Sequence, residues 1–205
     1  MKIIVFGATG GTGQFVVQQA LEEGFEVTAF VRTPSKLKIA HGNLTTIKGN
    51  AFNQGEVTAA IKGHDAVVSC LGSSQGMKKS TELQEMTKVI VTGMGKNGVK
   101  RIVYIASAGI HNELPGISGK LIMRVLKNTL IDHRVATDCI KANGLIYTIV
   151  RPMGLTDRPF SGKYRESTTG LPKGSRSIPR ADVADFILKA LKDKKYENTS
   201  IGVST

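Results

Sequence analysis

The segment Gly7-Ala8-Thr9-Gly10-Gly11-Thr12-Gly13 constrains this chain more than any other. It stands between a short apolar run, Ile3–Phe6, and a segment, Gln14–Glu23, that carries Val16, Val17, Ala20 and Leu21 at helical spacing. An apolar run ending in glycine reads as a strand buried on both faces. Strand, glycine turn and helix in succession spell the first unit of an open, parallel sheet. The spacing G-x-x-G-x-x-G is a variant of the dinucleotide fingerprint. Small residues let the backbone turn tightly and approach a pyrophosphate, while the helix behind offers free N–H groups and its positive dipole end. A glycine turn can also serve only to pack a helix on a sheet, but four glycines in seven residues exceed that need.

The same alternation continues along the chain. Phe25–Val31, Leu44–Ile47, Ala66–Leu71, Arg101–Ala106 and Leu145–Val150 read as further buried strands. Thr81-Glu82-Leu83-Gln84 has the pattern of a capping box, followed by an apolar stripe of Leu83, Met86, Ile90 and Met94. Gly119–Asn143 reads as one long helical stretch, bent near Asn128-Thr129. Pro179 suits a first helical position, with Asp182 in the first turn and Val183, Phe186, Ile187, Ala190 and Leu191 carrying the pattern on. Ser200–Val203 reads as a last edge strand. The expected fold is α/β, a doubly wound parallel sheet with right-handed crossovers and helices on both faces. All 205 residues are expected in one domain. Two segments break the rhythm, 107–118 and 152–178, and both leave carboxyl ends of strands, where open α/β sheets bind ligands. The second is expected to be a long loop without structure of its own, functional or partly disordered.

Composition narrows the function classes. Two cysteines far apart, Cys70 and Cys139, make neither a disulfide framework nor a zinc site, and no metal site is expected. The apolar start is too short for a signal peptide, and no run is long enough for a membrane span, so a soluble, cytoplasmic protein with no membrane partner is expected. A net charge of +12 favours anionic partners. Without tryptophan or a basic run interleaved with aromatics, nucleic acid is an unfavoured partner.

Individual residues sharpen the expectation. Arg32 ends the second strand, where an NAD-preferring site places an acid for the ribose hydroxyl; an arginine there accommodates the 2′-phosphate of NADP. Thr33, Ser35 and Lys36 add donors, and the alternative is a solvated basic turn. NADP(H) is therefore preferred over NAD(H). Leu71-Gly72-Ser73 closes the fourth strand, its glycine allowing close approach to a ribose. Ser107 closes the fifth, either aiming its hydroxyl at the nicotinamide and substrate or merely ending a strand. His133 is a fallback acid in the long helix, set against the commoner role of a satisfied core histidine. The 152–178 segment offers Arg158, Lys163, Arg165, Lys173 and Arg176 with Phe160 and Tyr164, a mixture suited to a planar ring bearing anionic groups, or simply a solvated loop.

In order and spacing, Gly7–Gly13, Arg32, Cys70–Ser74, Ile105–Gly109, Ile149–Met153 and Arg180–Asp185 resemble the atypical short-chain dehydrogenase/reductase superfamily. Within it they are most similar to NAD(P)H-dependent flavin reductases of the biliverdin reductase B type, often described as NmrA-like. The resemblance implies a Rossmann fold in which Thr9–Gly13 hold the pyrophosphate, Arg32 and Lys36 the 2′-phosphate, and Leu71-Gly72 the ribose. It places Ser107 at the nicotinamide and substrate region, and Asn50, Ala51, Pro152 and Met153 complete the implied cofactor set. Relatives carry Gly-Asp where this chain has Gly49-Asn50, and mammalian members carry a histidine where it has Arg151-Pro152-Met153. The second departure weakens bilin reduction more than flavin reduction. The Tyr-x-x-x-Lys pair is absent: Tyr104, Tyr147, Tyr164 and Tyr196 are followed four residues later by Ala108, Arg151, Thr168 and Ser200. Reducing a ketone leaves an alkoxide needing a positioned acid, whereas reduced flavin is far less basic. The expectation is an NADPH-dependent reductase acting on a flavin or similar planar acceptor, taken as a diffusible substrate. Its rival is an NmrA-like NADP(H) sensor without turnover, and a nucleotide-sugar epimerase is weaker still. A monomer or weak homodimer is expected.

Overall fold

The computed structural model describes residues 1–174 and 176–205. In chain order the strands are β1 (Lys2–Phe6), β2 (Glu26–Val31), β3 (Leu44–Lys48), β4 (Ala66–Ser69), β5 (Arg101–Ile105), β6 (Ile146–Pro152), β7 (Gly154–Thr156), β8 (Arg165–Ser167), β9 (Ser177–Pro179) and β10 (Thr199–Ser204). The helices are α1 (Gly13–Glu22), α2 (Gln54–Ile61), α3 (Glu82–Asn97), α4 (Gly116–Val125), α5 (Lys127–Ala142) and α6 (Arg180–Lys192). The main sheet runs β3-β2-β1-β4-β5-β6-β10-β8, parallel except for the β10–β8 pair. This is a Rossmann-like α/β fold.

The two-residue period of β1 shows why helices cover both faces. Ile3 and Val5 face one core with Val16, Val17, Phe186 and Ile187 of α1 and α6. Ile4 and Phe6 face the other, with Ile61, Ile90, Met94 and Ile140 of α2, α3 and α5. The chain builds β1, β2 and β3 outward, then returns to place β4 on the other side of β1. A crevice opens at such a reversal, above the carboxyl ends of the strands. The segments following β1 and β4 meet there.

Several expectations change. Residues 152–178 are not a structureless loop: they carry β7 and β9, which pair with each other in parallel, and β8. Because β8 pairs with β10, the last strand lies inside the sheet rather than at its edge. The stretch expected as one bent helix is two, α4 and α5, meeting at Leu126 rather than at Asn128-Thr129. Pro179 stands at the cap of α6, one position before its first helical residue. Thr81 makes no capping hydrogen bond, its hydroxyl donating instead to Glu85 at 2.5 Å. Two first-turn donors of α3 are met from another helix: Leu83 and Gln84 N–H donate to the buried Asp132 carboxylate of α5 at 3.1 and 3.0 Å. A carboxylate also suits the positive end of the helix dipole.

Candidate functional site

The glycine turn is shaped by what it excludes. Gly7 has φ +77°, and a Cβ there would stand 2.5 Å from the Cys70 carbonyl oxygen. At Gly13 it would stand 2.1 Å from the Gly7 oxygen, so α1 starts directly against the end of β1. Gly10 N–H donates to the Gly7 carbonyl at 2.9 Å and closes the turn. Thr12 heads α1 without a side-chain cap, and no acid stands in the first turn. Thr9, Gly10 and Gly11 remain accessible beside those N–H groups. A helix start left in this way accepts an anion. The residues present therefore fit a dinucleotide pyrophosphate.

Gly11 reveals a partner that the sequence reading does not find. The atoms that a Cβ at Gly11 would meet first belong to the Arg180 side chain, 2.7 Å from Nε and 2.9 Å from Cδ. Arg180 opens α6, and its guanidinium donates to the Asp157 carboxylate at 2.6 Å. Their side chains are 25% and 88% exposed. A cation thus lies over the glycine turn on a weak, solvent-screened tether. In sequence it stood only at a helix start, within the Arg180–Asp185 stretch that shares the resemblance, far along the chain from the glycines.

At the carboxyl end of β2, Arg32, Ser35 and Lys36 are exposed. Ser35 and Lys36 sit in the short 3₁₀ turn Pro34–Lys36. Gly49 N–H donates to the Val31 oxygen at 3.0 Å, which draws Asn50 and the buried Ala51 beside Arg32. Asn50 Oδ1 accepts from Phe52 N–H at 3.1 Å, and the Asn50 N–H donates to Glu56 at 2.7 Å. One lone pair of the amide oxygen remains for another donor.

Beyond β4, Leu71 is half-buried and Gly72 exposed. Ser73 and Ser74 hydroxyls donate to Glu82 at 3.1 and 2.6 Å, and Ser74 N–H adds a bond of 2.6 Å. The Ser74 bonds hold the Glu82 carboxyl below the usual range. Ser73 is therefore engaged in fixing its own loop. Ser107 is half-buried beyond β5, its hydroxyl donating locally to the Ala108 carbonyl at 3.1 Å. Ala108 N–H donates to the Pro152 carbonyl at 3.0 Å, so Ser107 and Pro152-Met153 lie side by side.

His133 is corrected by its surroundings. It is 7% exposed, and Nδ1 lies 2.9 Å from the hydroxyl of Tyr104, which is itself buried. Burial pushes its pKa down to about 4. It is neutral near pH 7 and packs in the core beside Tyr104. Tyr164 is likewise committed: its hydroxyl donates to Asp185 at 2.6 Å and its ring packs edge-on against Phe186. Tyr196 donates to Glu166 at 2.6 Å. Phe160 is left as the exposed flat surface of the 152–178 segment.

Arg151 ties together the segments that leave β5 and β6. It is buried and paired with Glu113, while Nε donates to Ser200 Oγ at 3.0 Å and Nη2 to the Gly170 carbonyl at 3.0 Å. One side chain thereby joins segment 107–118, segment 152–178 and β10. Burial alone would raise the Glu113 carboxyl, but backbone donors and Arg151 outweigh it and hold it low. Burial first, then Arg151, pushes His111 down. Among the described residues no cluster of His, Cys, Asp or Glu could hold a metal, and no helix is long and apolar enough to cross a membrane.

Known proteins share this architecture. A Bacillus subtilis protein described as an uncharacterized sugar epimerase is 28% identical over 211 residues, covering 100% of this chain and 94% of its own length. A short-chain dehydrogenase/reductase of Veillonella parvula, solved in complex with NADP, superimposes with a TM-score of 0.85 at 22% identity, covering 100% of this chain and 94% of that one. An anaerobillin reductase of Escherichia coli O157:H7 superimposes with a TM-score of 0.82 at 22% identity, covering 98% and 97%. At that identity the two structures speak for the fold. The NAD(P)H-binding family model matches residues 7–194, and this chain belongs to that family.

Proposed function

We propose that this chain is an NADPH-dependent reductase that delivers hydride to a flavin (FMN, FAD or riboflavin) or a similar planar acceptor. The observation that carries the reading is the convergence of the uncapped start of α1 with the exposed Arg32 and Lys36 at one edge of the sheet. NADPH, when bound, supplies the hydride. The glycine turn and first-turn N–H groups of α1 receive the pyrophosphate, with Arg180 beside them. Arg32 and Lys36 take the 2′-phosphate, and Asn50 Oδ1 accepts from the adenine amino group. Ser107 and Pro152-Met153 position the nicotinamide and acceptor, which is catalysis by proximity. No tyrosine has a lysine four residues later, and Tyr104, Tyr164 and Tyr196 already have hydrogen-bond partners. That supports an acceptor whose reduced form needs no strong acid. It also counts against sugar epimerisation.

The test is NADPH oxidation by the purified protein with excess FMN, with NADH in parallel. Steady turnover, faster with NADPH, is expected. Cofactor binding without turnover on FMN, riboflavin or biliverdin would instead favour a redox sensor. Arg32→Ala should cut the preference for NADPH over NADH about tenfold or more, the worth of a hydrogen bond to a charged group. An unchanged preference would remove Arg32 from the 2′-phosphate site.

A further inference from the structure

Of the ten residues of α4, only Gly119 is buried. Helices this short are marginal alone in water, and most are held by the apolar face they bury. Helix α4 turns that face outward. Ile117, Leu121, Ile122 and Val125 are 88%, 62%, 47% and 54% exposed. Ile117, Leu121 and Val125 repeat every four residues, with Ile122 beside them, and so form one stripe. Lys120 and Arg124, followed by Lys127 at the start of α5, run along its flank and are also exposed.

The neighbouring loop extends the same surface. Asn128 Nδ2 donates to the Met77 carbonyl at 3.2 Å and Thr129 Oγ1 to the Gly76 carbonyl at 3.3 Å, which pins residues 75–80 at the junction of α4 and α5. This loop adds exposed Met77, Lys78 and Lys79. Segments 75–80 and 114–131 together hold Lys78, Lys79, Lys120, Arg124 and Lys127 and no aspartate or glutamate. An apolar patch of this kind signals an interaction site.

We propose that this face docks peripherally on an anionic lipid surface. An apolar stripe flanked by Lys and Arg is the pattern of helices that lie in the plane of a membrane interface. Charge decides against a second copy of the chain, since two such faces would set cations against cations with no acid on either side. A purely electrostatic partner would leave the outward stripe of Ile and Leu without a role. The inference stands apart from the identity of the acceptor. Helix α4 begins within segment 107–118, at Gly116, so docking would bring that segment to the lipid.

The test uses the full-length chain and sedimentation with vesicles of phosphatidylcholine, with or without phosphatidylglycerol. Binding is expected only with phosphatidylglycerol, and should weaken as salt is raised. Lys120→Glu/Arg124→Glu should reduce partitioning on the order of tenfold or more. Leu121→Ser/Val125→Ser should also reduce it, with unchanged circular dichroism and NADPH binding showing that the fold survives. Failure to bind phosphatidylglycerol vesicles would overturn the proposal. So would equal binding to phosphatidylcholine alone, or full binding by the serine variant, which would mean adsorption by charge only. A solution dimer that Leu121→Ser/Val125→Ser dissociates would assign the face to a second copy instead.

Discussion

The two ends of the site are built by different means. The cofactor end is backbone, set by glycines within residues 7–13, with φ +77° at Gly7 and no room for a Cβ at Gly13. The proposed acceptor end is side chain, set by Arg151 reaching partners 38, 19 and 49 residues away in Glu113, Gly170 and Ser200. A turn made of backbone can be read from a short motif. A clamp made of one buried cation can be read only from the folded chain. The difference also predicts where each end is vulnerable: the first to added volume, the second to loss of charge.

Arg151→Met is the sharpest way to break the acceptor end. It leaves Glu113 as an uncompensated buried charge, and removing one partner of such a pair costs roughly 3–5 kcal/mol. Segments 107–118 and 152–178 should loosen together. Chemical denaturation should register the loss, and limited proteolysis should cut in both segments. The double variant Arg151→Met/Glu113→Gln should recover much of the stability, because no lone charge remains. If the single variant costs no more than the double, the pair does not hold this end together.

A second break acts through pH on the core behind the strands. The folded pKa of His133 is pushed down to about 4 from an ordinary value near 6.5. A lowered histidine favours the folded state while neutral, so its contribution is full above about pH 6.5 and is lost as pH falls toward 4. The shift corresponds to roughly 3 kcal/mol. Denaturant titrations at pH 7 and pH 5 should show the decline, and His133→Gln should flatten it while lowering stability at pH 7. Glu113 shares the sign: its depressed carboxyl contributes above the ordinary carboxylate pKa, and that contribution fades only in stronger acid. An undiminished decline in His133→Gln would move the cause to such carboxylates.

The same contrast explains what was legible. Continuous apolar runs such as Ile3–Phe6 and Ile102–Ile105 are long enough to declare strands buried on both faces, and the sheet followed from them. Strands of three residues carry no period, so β7, β8 and β9 were invisible, and with them the interior position of β10. The Thr81 capping pattern was present in sequence but lost to Asp132, a residue on another helix with two oxygens for two N–H donors. In sequence Arg151 appeared only within Arg151-Pro152-Met153 and as the residue four after Tyr147. Its role needed Glu113, Ser200 and Gly170 beside it. His133 could be read either way in sequence, because its burial against Tyr104 depends on a residue 29 positions away.

Arg180 joins the two ends and yields the finest distinction. It rests on Gly11, yet its ionic partner Asp157 belongs to the segment after β6. If it grips the pyrophosphate, Arg180→Gln should weaken NADPH and NADH alike by about tenfold, since both carry that group. Binding of adenosine 2′-monophosphate, which has no 5′-phosphate, should stay as in the wild type. This pattern differs from that of Arg32→Ala, which separates the two cofactors. Asp157→Asn removes the competing carboxylate and should tighten both cofactors by a smaller factor, about twofold to fivefold, because an exposed pair contributes under ~1 kcal/mol. Fluorescence titration of NADPH and NADH, with adenosine 2′-monophosphate read as a competitor of NADPH, measures all of these without turnover. Opposite signs for the two variants would make Asp157 a competitor that the cofactor displaces. Equal weakening in both would mean that the ion pair supports the turn as a unit, and the backbone end would then depend on a side chain after all.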